Sequence, residues 1–294
     1  MRSRVLKVEN LHYVYGNGKA ALEGVDVEIY EGEKIAVIGA NGSGKSTFFL
    51  NINGVYTPTD GQITYRELPV TKKNLNELRK KIGIVFQEAD SQIIASTVKA
   101  EVGFGPMNMK LPKEEVLERV KEAMAYMNLT GFEDRPPHYL SGGEKKRVSI
   151  ADIVAMKPEI MIFDEPTASL DPLNATMLEE VLYKLCGEDK TVMISTHDVD
   201  FTYRWAERVL VFCDGKIIAD GTPLEIFRNH EVLKQANLKR PAMLDVYEML
   251  VENKILPDTR AYPKRPRDLR DVLENKNVIS GANCLKSMNE EDKQ

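Results

Sequence analysis

The chain is poor in cysteine, in long apolar runs and in charge of one sign, and each shortage excludes a class of protein. Three cysteines, Cys186, Cys213 and Cys284, are too few and too scattered for a disulfide framework or a metal-ligand spacing. They read as reduced thiols. The longest apolar runs, such as "IAVIGA" and "VLVF", fall far short of the ~18–20 residues of a spanning helix. The opening "MRSRVLKVEN" has no apolar stretch of signal-peptide length. Any role at a membrane is therefore expected to be peripheral and to depend on partners. Forty basic against forty-five acidic residues leave a net charge of −5, so no nucleic-acid partner is expected. Internal repeats, low-complexity blocks and sustained heptads are also missing.

What remains is an α/β texture in a chain of 294 residues, long enough for a sizeable core. Short β-branched runs alternate with helical patterns, as around a largely parallel sheet. The expected strands are Val25–Ile29, Lys34–Ile38, Ile82–Phe86, Ile160–Asp164, Thr191–Ser195 and Arg208–Phe212. Expected helices are Lys45–Asn53, Asn174–Cys186 and Val199–Trp205. Between Gln87 and Pro158 the pattern is helical without strands, with apolar residues at Val116, Val120, Met124 and Met127. After Phe227 comes an amphipathic segment, Met243–Ile255, and then a polar tail whose stretch "RAYPKRPRDLR" reads as a solvated linker.

The strand "KIAVIG" runs into Gly39-Ala40-Asn41-Gly42-Ser43-Gly44-Lys45-Ser46, which fits G-x-x-x-x-G-K-[ST]. Glycines let the backbone turn tightly and aim its N–H groups at an anion, and the helix that follows adds the positive end of its dipole. Lys45 supplies a mobile charge for the β- and γ-phosphates of a nucleoside triphosphate, and the Ser46 hydroxyl is placed for Mg²⁺. In "EIMIFDEP", a buried strand closes on Asp164, expected as a metal partner, and Glu165, expected to polarise a water as general base. Gln87 and His197 each follow a strand and are candidates for contact with metal, water and γ-phosphate. Tyr15 is a candidate for stacking on the base. A second glycine turn, Ser141-Gly142-Gly143, opens another helix, with Ser141 and Glu144 spaced as a capping box. Its uncovered N–H groups suit a second phosphate contact, presented from another subunit.

In this order the residues resemble the ATP-binding cassette family. "GANGSGKST" matches the phosphate loop, Gln87 the glutamine loop, "LSGGE" the signature and "IMIFDEP" the second Walker motif. "SLD" (Ser169–Asp171) matches the D-loop and His197 the switch histidine. The match runs from about Val5 to Phe227. One departure is Glu144, where the family's signature more often has glutamine. The resemblance implies an α/β fold: a P-loop, RecA-like core with an antiparallel β subdomain, an inserted helical subdomain and a short C-terminal helical extension. It divides the chain into a core of residues 1–87 and 158–227, a helical subdomain of 88–157 and an extension of 228–294. It further implies ATP and Mg²⁺ as ligands. Ser46, Gln87 and Asp164 would hold the metal, and Glu165, His197, Gln87 and Lys45 would serve catalysis. Nucleotide contacts would come from Tyr15, Gly39, Asn41, Gly42, Ser43, Gly44, Lys45, Ser46 and Thr47. The other subunit's Ser141, Gly142, Gly143 and Asp171 would complete the site. A homodimer is the simplest arrangement and a heterodimer the alternative.

The run "EADSQIIASTVKAEVGFGPMNMKLP" is similar to energy-coupling-factor ATPases through Asp90, Gln92, Thr97, Val98, Glu101, Val102, Phe104, Gly105 and Pro106. Within that group "DRPPHYLSGGEKKR", "STHDVDF" and "RVLVFCDGKI" look most like the cobalt/nickel uptake branch; a vitamin importer is the alternative. Such a subunit is expected at the cytoplasmic face of the membrane, bound to coupling helices of integral subunits. Met107, Met109, Met124 and Met127 are candidates for a soft groove lining, although the spacing of the last two also fits core packing. A soluble cassette for DNA repair or translation fits less well, because the chain carries one cassette and no coiled coil.

Overall fold

A computed structural model describes residues 2–168, 170–186, 190–257 and 262–274. Ser169 of the expected D-loop, Cys284 and the tail beyond residue 274 lie outside the described residues. Among the described residues ten strands form two sheets: β1 (Arg4–Val14), β2 (Ala20–Tyr30), β3 (Lys34–Ile38), β4 (Asp60–Tyr65), β5 (Leu68–Pro69), β6 (Ile82–Val85), β7 (Ile160–Asp164), β8 (Thr191–Ser195), β9 (Arg208–Cys213) and β10 (Lys216–Gly221). An antiparallel sheet has the order β2-β1-β4-β5, and a six-stranded sheet has the order β10-β9-β3-β8-β7-β6. In the larger sheet β9, β3, β8, β7 and β6 run parallel, and β10 closes one edge in antiparallel sense.

The parallel strands are nearly continuous apolar runs because both of their faces are covered. Alternate residues enter different cores. Ile35 and Val37 of β3 pack with Leu6, Ile29 and Phe49 between the two sheets, whereas Ala36 and Ile38 pack on the opposite side with Val148 and Ile194. Helix α1 (Lys45–Ile52) leads from the larger sheet to the antiparallel one and α2 (Leu75–Lys81) leads back, and α1 contributes Phe48 and Phe49 to the inter-sheet layer.

Between β6 and β7 the chain is helical: α3 (Val98–Val102), α4 (Phe104–Asn108), α5 (Lys113–Tyr126) and α6 (Gly142–Met156). Met124 and Met127 are 3% and 1% exposed and belong to the core, as their helical spacing allows. Met107 is 64% exposed and Met109 half-buried. Helix α7 (Pro172–Cys186) follows β7, and α8 (Val199–Trp205) follows β8. The chain then runs through α9 (Pro223–Arg228) and α10 (His230–Gln235) to α11 (Ala242–Glu252), the amphipathic segment expected at Met243–Ile255. The stretch read as a solvated linker is corrected in part. Tyr262 packs edge-on against Tyr247 and accepts a hydrogen bond from Arg228, Pro263 is buried, and the Arg265 guanidinium lies over the Tyr183 ring. Aromatic contacts here outweigh the stretch's polar composition. Among the described residues no helix is long and apolar enough to cross a membrane.

One ionic cluster ties the two sheets together. Glu159, just before β7, accepts from Tyr65 Oη at 2.6 Å, Arg66 Nε at 2.7 Å and Lys81 Nζ at 2.9 Å. Burial works against its charge, but these hydrogen bonds outweigh it and hold the carboxyl at about 2. The folded value lies below the ordinary 4.5, so the contribution is present above that pH and is lost as pH falls toward 2. Glu159→Gln is therefore expected to be less stable than the parent at pH 7 in urea melts, with the difference shrinking between pH 4.5 and 2. A difference that does not change with pH would contradict the assignment.

Candidate nucleotide site

The phosphate loop is shaped by close approaches. Gly39 has φ 148° and Gly44 φ 110°. A Cβ on Gly39 would lie 2.2 Å from the Phe212 carbonyl oxygen, and one on Gly44 2.7 Å from that of Ala21. Both positions thus require glycine on conformation and on space. Helix α1 begins at Lys45 with no side chain capping its first turn, so its N-terminal amides are left to an anion. Lys45 is 6% exposed, and its Nζ donates to the Gly39 and Ala40 carbonyls at 2.9 and 3.1 Å. Burial lowers its pKa, while Glu165 and Asp164 pull it back up. Ser43 Oγ is buried with no hydrogen-bond partner, which suits a contact to a ligand oxygen.

The parallel ladder brings the next residues to the same edge. β7 ends in Asp164 and β8 in Ser195, directly paired in register. Glu165 follows with φ 45°, which turns its side chain toward His197; Glu165 Oε2 and His197 Nδ1 are 2.8 Å apart. The Glu165 side chain is 10% exposed and that of His197 71%, so the histidine is the accessible member of the pair.

A cleft of about 420 Å³ is lined by Tyr15, Asn41, Gly42, Lys45, Ser46 and Thr47, and also by Gln87, Glu165 and His197. Tyr15 Oη and Thr47 Oγ1 are 2.6 Å apart, and the Tyr15 ring stands edge-on to Tyr13 and Tyr56 on the cleft wall. Oxygen donors suited to Mg²⁺ gather here: the Ser46 hydroxyl and Gln87 amide line the cleft, and the Asp164 carboxylate closes the adjacent strand. No cluster of three His, Cys, Asp or Glu able to hold a metal occurs among the described residues. A cation carried in with a triphosphate needs none, because the phosphates supply further oxygens. The residues present therefore fit Mg²⁺.

Ser141, Gly142, Gly143 and Asp171 do not line this cleft. The capping box is present: the Ser141 amide and hydroxyl donate to Glu144 Oε2 at 2.7 and 2.8 Å, and the Glu144 amide donates to Ser141 Oγ at 3.3 Å. Ser141 and Gly142 are exposed, whereas Gly143 faces α7. Asp171 caps that helix, accepting from the Asn174 amide at 3.0 Å and from its side-chain nitrogen at 2.6 Å.

Three residues with no individual signal in the sequence organise the site. Asn174 lies where a Cβ on Gly143 would meet its side chain at 2.7 Å, so the signature turn packs on the first turn of α7, which Asp171 caps. Lys146 is buried, and its Nζ donates to the Phe86 and Gln87 carbonyls at 2.7 and 2.9 Å; burial pushes its pKa down to about 8. Ser195 Oγ bonds both Asp164 and Glu165. The Asp90-x-Gln92 element also finds a purpose. Asp90 accepts from Lys145 Nζ at 2.6 Å, and Gln92 Oε1 accepts from the Phe86 amide at 3.2 Å. Gln92 Nε2 also donates to the Ser149 carbonyl at 3.4 Å, and with the Asp90 and Lys146 bonds this fastens the glutamine loop to α6.

A family model described as "ABC transporter" matches residues 22–168. The energy-coupling factor transporter ATP-binding protein EcfA of Methanocaldococcus jannaschii is 46% identical over 255 residues, covering 86% of this chain and 91% of that protein. EcfA of Methanothermobacter thermautotrophicus is 47% identical over 248 residues, with 84% and 80% covered. Among solved structures, cbiO1 of Clostridium perfringens, described as part of the ABC transporter complex cbiONQ, superposes with a TM-score of 0.70 at 39% identity. That match covers 85% of this chain and 99% of the other. A dimeric post-hydrolysis cassette, MJ0796 bound to ADP and Pi, gives a TM-score of 0.67 at 31% identity, with 74% and 98% covered. The chain belongs to the ABC transporter family, whose cassettes bind and hydrolyse ATP to drive transport, and dimerise and associate with transporter membrane components. More particularly, it is of the energy-coupling factor type, the ATPase of such a transporter.

The contact between Gly143 and Asn174 is testable in the chain alone. Gly143→Ala is expected to cost about 1–3 kcal/mol by overpacking, measured by thermal unfolding. Most of that loss is expected to vanish in the Gly143→Ala/Asn174→Ala double variant. An equal loss in both backgrounds would contradict the contact.

Proposed function

We propose that this ATPase works as a homodimer in which each ATP is held by one subunit's phosphate loop and the other's signature. The observation that carries the reading is the division of the motifs. Lys45, Ser46, Gln87, Glu165 and His197 share one cleft, and the exposed Ser141 and Gly142 lie outside it at the start of α6. A head-to-tail pair with C₂ symmetry brings the two halves together.

In this mechanism the triphosphate docks on the loop amides and the α1 N-terminus. Lys45 exchanges its hydrogen bonds to the Gly39 and Ala40 carbonyls for charge-assisted ones to phosphate. Tyr15, on the cleft wall, stacks on the base. Ser46, Asp164 and Gln87 would hold Mg²⁺, which when bound neutralises charge on the β- and γ-phosphates. Glu165 accepts a proton from the attacking water, and His197, bonded to it, orients the carboxylate and reaches the γ-phosphate. The partner's Ser141 and Gly143 release the γ-phosphate after cleavage, and the dimer opens. Membrane subunits would read that opening through coupling helices docked beside Ile94, Phe104 and Met107, which are exposed apolar residues near the glutamine loop. The subunit would therefore sit at the cytoplasmic face of the membrane.

Cobalt or nickel is the proposed cargo. This rests on the "DRPPHYLSGGEKKR" and "STHDVDF" stretches and on the likeness to cbiO1 of Clostridium perfringens. Uptake of labelled cobalt and nickel by cells expressing the chain with its co-purifying membrane subunits tests it; vitamin uptake instead would reassign the cargo.

For the chemistry, Glu165→Gln is expected to slow hydrolysis by ~10²–10⁴-fold, the usual worth of a general base. It should also accumulate an ATP-bound dimer on size-exclusion chromatography. A variant that hydrolyses at the parental rate, or stays monomeric in ATP, would contradict the reading.

A further inference from the structure

Ser195 ends β8 and is fully buried, a costly place for a hydroxyl unless its hydrogen-bonding capacity is used. Both capacities are used. Oγ donates to Asp164 Oδ1 at 2.5 Å and accepts from the Glu165 amide at 2.9 Å. That amide also donates to the Ser195 carbonyl at 3.1 Å. Glu165 meanwhile holds φ at 45°, a left-handed conformation that residues with a Cβ keep only where surrounding bonds impose it. From that turn its carboxylate reaches His197.

We infer that Ser195 is a positioning residue for hydrolysis: its hydroxyl fixes the Asp164 carboxylate and the left-handed turn of Glu165 in one arrangement, two residues before His197. The inference rests on the reading of Asp164 as metal-holding and Glu165 as water-activating. The hydroxyl commits one Asp164 oxygen to the protein and so limits the rotation of the carboxylate. It also pins the amide of the residue that carries the base. The β7–β8 register makes this possible, since it sets Asp164 opposite Ser195. Replacement by alanine leaves the Glu165 amide its bond to the Ser195 carbonyl, so the ladder survives while Asp164 loses its hydroxyl donor.

The test uses the full chain with Ser195→Ala, Ser195→Cys and Ser195→Thr, and with Glu165→Gln as reference. Cysteine offers a bulkier, weak donor, and threonine keeps the hydroxyl with one added methyl. Four quantities are measured: kcat, Mn²⁺ affinity by paramagnetic resonance with a non-hydrolysable ATP analogue, nucleotide affinity in EDTA, and melting temperature. The alanine and cysteine variants are expected to lose about 10–100-fold in kcat and in Mn²⁺ affinity, as for other groups that orient a metal ligand. Metal-free nucleotide affinity should remain parental, and threonine should recover most of both losses. Parental kcat and Mn²⁺ affinity in the cysteine variant would overturn the proposal. So would equal losses in all three variants that track a fall in melting temperature, the mark of packing alone. If Glu165→Gln hydrolyses like the parent, the reading of the two carboxylates fails. If it is inactive while Ser195→Cys matches the parent, only the role of Ser195 falls.

Discussion

The parallel register of β3, β8 and β7 is the constraint on which the rest depends. It sets Val37 beside Ser195 and Ser195 beside Asp164, so the phosphate loop, the histidine loop and the paired acids leave the sheet at one edge. A slip of one residue in any of these strands would exchange its two faces. It would send Ile35, Met193 or Ile162 from the inter-sheet core to the other side and carry the reactive residues off the cleft. The packing that makes the strands unambiguous therefore also holds the chemistry in alignment, and stability and function share one source.

Around that edge polar contacts link the loops and helices. Lys146, Gln92 and Asp90 fasten the loop after β6 to α6. Asn174 joins the cap of α7 to Gly143 at the start of α6. Asp198 caps α8, and Asp200 in its first turn accepts from the Ala242 amide at the start of α11. Arg204 of α8 bridges to Glu179 of α7 at 3.2 Å. The helices that follow β7 and β8 are thus tied to each other and to the C-terminal extension.

Much of this architecture is legible in the amino-acid sequence. The parallel strands can be read because burial on both faces writes them as unbroken apolar runs, and "IMIFD" and "TVMIS" carry their reactive ends with them. β1 is not legible: its alternation is broken where Asn10 takes φ 45° and the pairing shifts register between Val8 and Leu11. β10 lies at a sheet edge with mostly half-buried residues and so lacks an apolar signature. In the site, glycine spacing announces the phosphate loop and the capping box announces α6. Ser195, Lys146 and Asn174 give no such sign, because each is an ordinary polar residue until distant segments are brought together. The stretch around Tyr262 misleads in the same way, its basic composition hiding the aromatic contacts of Tyr262 and Arg265.

In the proposed homodimer each site is completed by a second copy of the chain. The most direct measurement of this mixes two inactive variants, Lys45→Ala, with a damaged phosphate loop, and Ser141→Arg, with a damaged signature. In a head-to-tail dimer of the two, one site unites the intact loop of the Ser141→Arg chain with the intact signature of the Lys45→Ala chain. ATP hydrolysis should return on mixing, rising with total protein concentration as heterodimers form. A mixture as inactive as its components, under conditions in which the parent dimerises and hydrolyses ATP, would contradict the account.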